Sequence, residues 1–427
     1  MQANTRLVMK FGAAAFCAAA LAACGSNRSI TIPNKAAKPR SPNSHTVYVY
    51  SSLPLKGSQR QDSNWIIEGI RLAFRPGHVG DYTIKYRSLD DAAGRAGWSP
   101  RLVVRNAEIA AHDPHTVAYI GDLDSDATKL SLPILNQAGI VQITPGSGYP
   151  GLTDSLPPVT SQGEPGKFYP GPKPFTLLRL IPDDMAQAAA ALDLLRSTGC
   201  GHVAAASFGG GVDGLALVKA VQLTAKEYGI GYVAADPEPG NKTSTYPAYA
   251  ASLHRLGAGC FVLAGHVTRA AVTLTQDIHA ELPTGAIVGS SGFCSRAWTD
   301  PARHGVPAAL DPYLYCTSPL LPPDKYPDAG PFITHFRQVH RRAPEAYALI
   351  GYRAAEMVVD GIDNLGNGGD NRKEVLRALI GGVSYSTESG TYGFDPHGDL
   401  SSHAYGIYNV VDGRPKYDKR VIPPKVL

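Results

Sequence analysis

The chain has 427 residues, which is enough for two or three domains, and its 44% apolar and 18% charged residues are ordinary for a globular protein. The formal net charge is only +4, and the Lys and Arg residues are scattered along the chain. Without a basic stripe, nucleic acid is excluded as the expected partner.

The N-terminal residues have the pattern of an export signal. Arg6 and Lys10 precede an Ala-rich apolar run that is shorter than the ~20 residues needed to span a bilayer. The run ends in Leu21-Ala-Ala-Cys24, which resembles a bacterial lipobox, although an ordinary signal peptide with a chance Cys remains the alternative. We expect residues 1–23 to be a lipoprotein signal peptide, Cys24 to be lipidated, and residues 24–45 to be a flexible tether rich in Pro and Ser. The protein would then be extracytoplasmic and anchored to the bacterial cell membrane.

Four cysteines remain after Cys17 and Cys24 are set aside: Cys200, Cys260, Cys294 and Cys316. An even number in an exported chain indicates two disulfides, with three possible connectivities, and reduced buried thiols are the alternative. The spacings do not match a zinc ribbon, so no metal site is expected.

From residue 46 onward, short apolar runs alternate with amphipathic stretches. The first half predicts strands at 46–51, 82–88, 116–120 and 140–143, separated by helices at 62–74, 102–112 and 125–138. The segment 145–174 is dense in Pro and Gly, and we expect it either at the rim of a cleft or as a surface insertion. This order favours a parallel, doubly wound α/β sheet.

The same alternation then restarts. Helices are predicted at 183–197, 214–228, 248–256 and 269–279, with strands at 202–207, 230–234, 260–263, 286–289 and 313–318. A last portion predicts helices at 332–342, 347–365 and 373–380, then extended segments at 391–394 and 404–411. Two such halves indicate two lobes with a ligand between them, bound by loops at the carboxyl ends of the strands.

Several stretches, taken in order, resemble the leucine/isoleucine/valine-binding protein family of ABC transporters. They are AYIGDLDSD (118–126), IVQITPG (140–146), FGGGVDGLA (208–216), FVLAG (261–265), IVGSS (287–291), AYALIGYRAA (346–355), GFDPHGDL (393–400) and YGIY (405–408). The resemblance implies a type I periplasmic-binding fold, with two Rossmann-like (flavodoxin-like) lobes that have parallel sheets and are joined by a three-segment hinge. Lobe 1 would comprise 46–180 and 320–388, and lobe 2 would comprise 181–319 and 389–427.

The implied layout also predicts the disulfide pairing. In a flavodoxin-like order, Cys200 and Cys260 precede neighbouring strands of lobe 2. Cys294 follows the fourth strand and Cys316 lies in the fifth. The resemblance therefore implies the pairs Cys200–Cys260 and Cys294–Cys316.

The resemblance also implies a ligand site. In the family, hydroxyls and backbone N–H groups of two lobe 1 loops hold the ligand carboxylate, and Ser125 and Ser147 match those positions. Ser125 would equally serve as a helix N-cap. The neighbouring candidates for ligand binding are Gln59, Gly146, Gly148 and Tyr149.

Acidic residues flank the predicted carboxylate position. Asp122, Asp124 and Asp126 alternate as in the start of an EF-hand loop, but Ala127 and Pro133 stand where that loop requires Gly and Glu. Asp124 and Asp126 would either cap the helix or repel an anionic ligand, and so favour a cationic or neutral one.

Two departures separate this chain from the amino-acid-binding members. The acidic residue that holds the ligand ammonium in them is replaced here by Ser290 or Ser291, and His266 stands where an aromatic residue is frequent. We therefore expect a small polar solute, which could be similar to a branched-chain amino acid, an amide or a related compound. The expected partner is an ABC transporter permease, the expected state is a monomer, and no cofactor is expected.

Two other functions remain open. A ligand sensor or scaffold lipoprotein would have the same fold. Gly209, Gly211 and Gly214 also fit the G-x-G-x-x-G pattern of a NAD(P)-dependent enzyme, with Asp236 about 20 residues further on as the ribose-binding acid. Export and the position of the motif in the second half of the chain favour a binding protein over an enzyme.

Overall fold

The computed structural model describes residues 29–31, 45–94, 97–171, 175–209, 211–380, 384–387 and 390–424. The predicted signal peptide and Cys24 lie outside these residues. Within the predicted tether, Ser29–Thr31 form a short strand, β1. Among the described helices, none combines the length and the apolar character that crossing a membrane requires.

The described strands alternate with helices along most of the chain. The further strands are β2 (His45–Leu53), β3 (His78–Val79), β4 (Tyr82–Asp90), β5 (Thr116–Ile120), β6 (Val141–Thr144), β7 (Leu177–Arg179), β8 (His202–Phe208), β9 (Gly231–Tyr232), β10 (Cys260–Gly265), β11 (Ile287–Gly289), β12 (Leu314–Ser318), β13 (Ser384–Thr387), β14 (Gly390–Gly393), β15 (Tyr405–Val411) and β16 (Arg414–Val421). The helices are α1 (Arg60–Ala73), α2 (Pro100–His112), α3 (Ser125–Ala138), α4 (Asp184–Ser197), α5 (Gly211–Thr224), α6 (Tyr246–Arg255), α7 (Arg269–Glu281), α8 (Arg296–Thr299), α9 (Gly330–His340), α10 (Ala346–Leu365) and α11 (Arg372–Leu379).

The first sheet has six strands in the order β3-β4-β2-β5-β6-β7. All its strand pairs are parallel except β3–β4. The five parallel strands, β4, β2, β5, β6 and β7, follow the 2-1-3-4-5 order predicted for a doubly wound lobe. Every residue of β5 is buried, as expected for a central parallel strand covered on both faces.

Two long helices cover one face of the first sheet and pack unusually closely. Gly69 of α1 lies against the backbone of Ala348, and Gly351 of α10 lies against the backbone of Ile66, so a Cβ atom at either glycine would overlap a carbonyl group. Small residues on both helices therefore allow α1 and α10 to approach each other and return the 330–379 segment to the first core.

The second sheet has seven strands in the order β16-β15-β12-β11-β10-β8-β9. The strands β12, β11, β10, β8 and β9 are parallel and again follow the 2-1-3-4-5 order, while β15 and β16 are antiparallel. The sequence analysis did not predict β16, because five of the eight residues of this edge strand are charged. It is joined to β15 by a two-residue turn in which Asp412 and Gly413 both have positive φ, the geometry of tight hairpins.

Two predicted elements differ in length. The strand expected at 230–234 shortens to the two residues of β9, at the edge of the second sheet. The helix expected at 214–228 begins three residues earlier, at Gly211, and its last turn is a 3₁₀ turn over Ala225–Tyr228. Periodicity placed both elements correctly, but their ends depend on pairing and packing.

Both disulfides form as the resemblance implied. Cys200 and Cys260 have Cα atoms 6.0 Å apart, and Cys294 and Cys316 have Cα atoms 5.4 Å apart. Each bond connects a segment beside one strand of the second sheet to its neighbouring strand, β10 in the first case and β12 in the second.

The Pro- and Gly-rich segment is described over 145–171. Short 3₁₀ turns occur at Pro150–Leu152 and Gly166–Phe168, and Leu152, Val159 and Phe168 are buried with side chains of α4 and α5. The segment is therefore anchored against α4 and α5, and only its first residues border the predicted ligand site.

The lobe boundaries themselves remain a proposal. The chain passes from β7 to α4 near 179–184, and it returns toward the first core after β12. Phe394 and Leu400 still contact the first core, which favours a third crossing after Leu400.

Candidate functional site

The loops that follow the strands of the two sheets meet each other. The Oδ2 atom of Asp126, in the first turn of α3, accepts a hydrogen bond from the backbone N–H of Val212 in α5 at 3.0 Å. Nearby, Nε2 of His266, after β10, lies 3.6 Å from Oδ1 of Asp124. The carboxyl-end loops of both sheets therefore form one continuous surface, where ligands bind in open α/β sheets.

The two serines predicted to hold a carboxylate are buried and already bonded. Ser125 Oγ accepts from the backbone N–H of Tyr149 at 3.1 Å, and its proximity to Asp213 partly opposes the rise in the pKa of that acid. Ser147 Oγ lies 2.8 Å from Thr128 Oγ1 and 2.9 Å from Thr144 Oγ1. Both hydroxyls are therefore occupied by partners within the protein.

The other residues of the loop after β6 determine the shape of the loop and offer few hydrogen-bond donors to a ligand. Gly146 lies against Leu123, and Gly148 lies against Asp184, so a side chain at either position would collide with its neighbour. Tyr149 is buried, and its hydroxyl donates to Glu164 Oε2 at 2.5 Å, within its own segment. The ring of Tyr149 thus supports the loop, while its backbone N–H group contacts Ser125 at the site.

A buried arginine holds this loop in place. Arg179 is fully buried, and its Nε donates to Asp399 Oδ1 at 2.8 Å. Its guanidinium also donates to the carbonyl of Tyr149 at 2.9 Å and to the hydroxyl of Thr153. All of these partners belong to the protein, so the charge of Arg179 is already compensated.

Gln59, Asp124 and His266 form one cluster. The Nε2 atom of Gln59 donates to Asp124 Oδ2 at 2.8 Å, while His266 approaches the other oxygen of the same carboxylate. This ion pair raises the pKa of His266 above its usual value. Since His266 follows a strand of the second sheet, a protonated imidazole would tie the two loop sets together.

Ser290 and Ser291 follow β11 and have different surroundings. Ser290 is buried, and its hydroxyl bonds to both the N–H and the carbonyl of Gly265 at 3.1 and 3.0 Å. Ser291 is exposed at the start of a 3₁₀ turn. Ser290 therefore fixes the loop that carries His266, whereas Ser291 faces solvent.

The Gly-rich turn after β8 has a different role from the one expected in a dinucleotide site. Gly214 lies against the side chain of Ser207, which allows α5 to approach β8. The helix N-terminus that would receive a pyrophosphate is occupied by the carboxylate of Asp126. Asp236 is exposed and accepts from the backbone N–H of Glu238 at 3.0 Å, as an ordinary turn residue does.

Sequence reasoning missed two acids of the site. Asp184 begins α4 and is buried, and Asp213 lies in the first turn of α5. Burial raises the pKa of Asp213 to about 6 and that of Asp184 well above its usual value. Repulsion by Asp124 and Asp126 adds to the shift of Asp213, and repulsion by Asp213 adds to that of Asp184. Their positions at the starts of helices that follow strands were the available signal.

Asp62 extends the acidic surface from the first turn of α1. Burial raises its pKa to about 6, and His266 partly opposes that shift. Within the described residues, no group of three or more His, Cys, Asp or Glu side chains is arranged to hold a metal ion. The arrangement is suited to binding a solute through polar and charged side chains.

Comparison with known proteins agrees with this geometry. The model of a family described as periplasmic binding protein matches residues 53–415. A leucine binding protein, LivK from Thermotoga maritima, has 18% identity and a TM-score of 0.69, with 88% of this chain and 99% of the other covered. None of the curated proteins compared matches the sequence.

Two further structures resemble the chain. A solute binding protein from R. palustris in complex with benzoate has 16% identity and a TM-score of 0.67, covering 88% of this chain and 97% of the other. LivJ from Streptococcus pneumoniae in complex with isoleucine has 16% identity and a TM-score of 0.65, covering 88% and 100%. The predicted two-lobed type I fold and the predicted family are confirmed.

Proposed function

Because the chain belongs to the periplasmic binding protein family, we propose that it captures a small polar solute between its two lobes outside the cytoplasm and delivers it to an ABC permease. One observation carries the proposal: loops from both sheets contact each other through Asp126 and Val212, at the edge where such sheets bind ligands. The family is a solute-binding fold and not an enzymatic one.

The mechanism begins with the lobe 1 loops at 121–128 and 145–149, which are held rigid by Arg179 and by the bonds of Ser125 and Ser147. The lobe 2 loops after β8, β10 and β11 then close over the solute by hinge motion. The contacts of Asp126 with Val212 and of Asp124 with His266 stabilise the closed form, which the permease would recognise.

The relatives suggest where to start a ligand search. Their named ligands, leucine, isoleucine and benzoate, all have a carboxylate and an apolar body. In this chain the matching serine hydroxyls are bonded internally, so amides, amines and other polar solutes belong in the same search.

A thermal-shift screen tests the proposal directly. The panel comprises amino acids, amides, polyamines, nucleosides, sugars and NAD(P). A ligand at 100 times its dissociation constant adds ~2.7 kcal/mol, a shift of several degrees for a lobe-sized domain. A hit among small polar solutes supports the proposal, while a hit with NAD(P) alone would overturn it.

A variant then tests the site. We expect Ser125→Phe to abolish the ligand-induced shift, because the ring would fill the space between Tyr149 and Asp213. Circular dichroism checks that the variant is folded, and Ser155→Phe, at an exposed position of the 145–171 segment, is the control. If Ser125→Phe does not fold, Gln59→Ala tests the same surface from the other side of Asp124.

Membrane anchoring through Cys24 is a separate part of the proposal. It is supported by the lipobox-like residues 21–24. In cells, the wild-type protein should partition with the membrane fraction and incorporate a labelled fatty acid, and Cys24→Ala should do neither. Membrane association of the variant equal to that of the wild type would remove lipidation from the proposal.

A further inference from the structure

One carboxylate at the site has no partner. Asp184 is only 6% exposed, and its Oδ2 atom is buried without a hydrogen bond. The neighbouring Asp183 caps α4 by accepting from the N–H of Ala186 at 3.0 Å, so Asp184 is not needed as the helix cap. A buried carboxylate without donors is costly for the fold, unless something else binds it.

A second carboxylate lies beside it. Asp213 lies close to Ser125, which partly opposes the rise in its pKa, and its Oδ1 atom is buried without a hydrogen bond. Asp184 contacts Gly148, and the N–H of Tyr149, next in the chain, reaches Ser125. The two carboxylates therefore border the same point, where the loops of the first sheet meet α4 and α5.

The surrounding charge is mainly negative. Asp62, Asp124 and Asp126 lie on the first-sheet side of the site. Asp124 and Asp126 raise the pKa of Asp213, and Asp62 interacts with His266. The cations nearby already have partners: His266 lies beside Asp124, and Arg179 is bonded to Asp399. Lys129 lies 3.7 Å from Glu164, with its ammonium 4.0 Å from the centre of the Tyr149 ring.

We propose that Asp184 and Asp213 together bind a cationic group of the solute, an ammonium or an amidinium, and that the preferred solute is an organic cation without a carboxylate. This inference rests on the proposed function and specifies its substrate class. Two carboxylates can share the several N–H donors of such a group, and the cation would supply the partners that both buried oxygens lack.

A carboxylate-bearing solute fits the same surface less well. The hydroxyls of Ser125 and Ser147 are occupied, and the α5 N-terminus already binds the carboxylate of Asp126. A ligand carboxylate would add another anion to a surface whose own acids outnumber its unpaired cations. Repulsion between like charges therefore selects against benzoate-like and amino-acid-like solutes.

Molecules of matched shape and different charge test the inference. Benzamidine, benzamide and benzoate form one such series, and 3-methylbutylamine and leucine form a second. Calorimetric titration of the full protein should give at least tenfold tighter binding for the cation in each series than for its anionic or zwitterionic counterpart. Raising the ionic strength should weaken cation binding only modestly, because the carboxylates are buried.

Conservative variants locate the effect. Asp184→Asn and Asp213→Asn keep the side-chain shape and should each weaken cation binding at least tenfold, while the binding of neutral benzamide stays within a factor of about three. Asp328→Asn, at an exposed position outside the site, is the control and should leave all affinities unchanged. If one of the site variants fails to fold, the other still provides the comparison.

The outcomes separate the inference from the proposed function. If leucine, benzoate or a neutral solute binds and the matched cations do not, the cation inference is overturned while the solute-binding function stands. Wild-type affinity for the cation in both site variants would also overturn it. If nothing in this series or in the wider screen binds, the proposed function fails, and the inference fails with it.

Discussion

Two pairs of acids with raised pKa values lie in the loops and helix starts around the site, and their surroundings differ. Asp91 and Asp122 lie beneath the first sheet's loops, and Asp184 and Asp213 lie where α4 and α5 begin. In both pairs, burial raises the pKa of each carboxyl group. Repulsion by Asp122 raises the pKa of Asp91 further, and repulsion by Asp213 does the same for Asp184.

The first pair is part of a hydrogen-bond network. Asp122 accepts from Ser131 Oγ at 2.5 Å and from the hydroxyl of Tyr119 at 3.4 Å, and Asp91 accepts from Ser52 Oγ at 3.0 Å. The amide side chains of Asn106 and Gln142 bond to the same serines. A network of this kind fixes one arrangement of the core beneath the site.

In the second pair, Oδ2 of Asp184 and Oδ1 of Asp213 are buried without hydrogen-bond partners. Oδ1 of Asp91 is also buried without a partner, but each acid of the first pair accepts a hydrogen bond from a serine hydroxyl. The difference indicates separate roles: buried acids that are held by hydroxyl donors stabilise the fold, and buried acids without such donors are available to a ligand. Four predictions test this comparison, in order of decreasing effect.

The largest effect should come from Asp122→Ala. Removing this carboxylate leaves the hydroxyls of Ser131 and Tyr119 without their acceptor, and each buried unpaired group costs about 1–3 kcal/mol. Urea denaturation at pH 6 should show a loss of ~3 kcal/mol in the free energy of unfolding. The control Asp81→Ala, at an exposed site of the same lobe, should change it by less than ~0.5 kcal/mol. If both variants change the free energy of unfolding equally, the network does not stabilise the fold.

The second prediction concerns pH. The pKa of Asp91 is raised to about 8 and that of Asp122 to about 7, so the folded protein holds a proton that the unfolded chain has released. The stability that this proton provides is fully present below pH ~4 and is lost as the pH rises toward about 8. For one proton the slope is at most ~1.4 kcal/mol per pH unit.

Denaturation at several pH values between 4.5 and 8.5 measures that slope. Asp91→Asn should flatten it, because an amide cannot titrate. Asp184 and Asp213 also have raised pKa values and act in the same direction, so the difference between wild type and variant is the quantity to compare. If the free energy of unfolding of the wild type increases with pH over this range, Asp91 and Asp122 do not hold a proton in the folded protein.

The third prediction has the opposite sign from the first. Asp184→Asn should increase the free energy of unfolding by ~1 kcal/mol at pH 8, because it removes a buried charge that no donor compensates. The same variant should lose affinity for cationic solutes. A destabilised Asp184→Asn protein would mean that this acid supports the fold as Asp122 does.

The smallest effect should come from His266→Ala. The contact between His266 and Asp124 is half exposed on the His side, and ion pairs of this kind contribute less than ~1 kcal/mol. We expect nearly unchanged thermal stability, while small-angle scattering should detect a larger fraction of open molecules. If the variant is as compact as the wild type, the contact between Asp126 and Val212 holds the lobes together without the contact between His266 and Asp124.

The sequence by itself determined the regular part of this protein. Apolar periodicity depends on local side-chain spacing, and it predicted most of the described strands and helices, including β5 and α3 with their observed ends. The ordered resemblance then supplied the type I fold, the relevant loops and both disulfide pairs, because these follow from strand order. The edge strand β16 consists mostly of charged residues, so only its pairing with β15 reveals it.

The chemistry of the site was decided by the tertiary structure. Ser125 and Ser147 are the right residues for a carboxylate site, but whether a hydroxyl is free depends on neighbours brought together by folding. Asp184 and Asp213 lie on different helices and have no shared motif, so their proximity and their missing partners exist only in three dimensions. Burial and hydrogen-bond partners are properties of the packed chain, and they determine which of its many acids is available to a ligand.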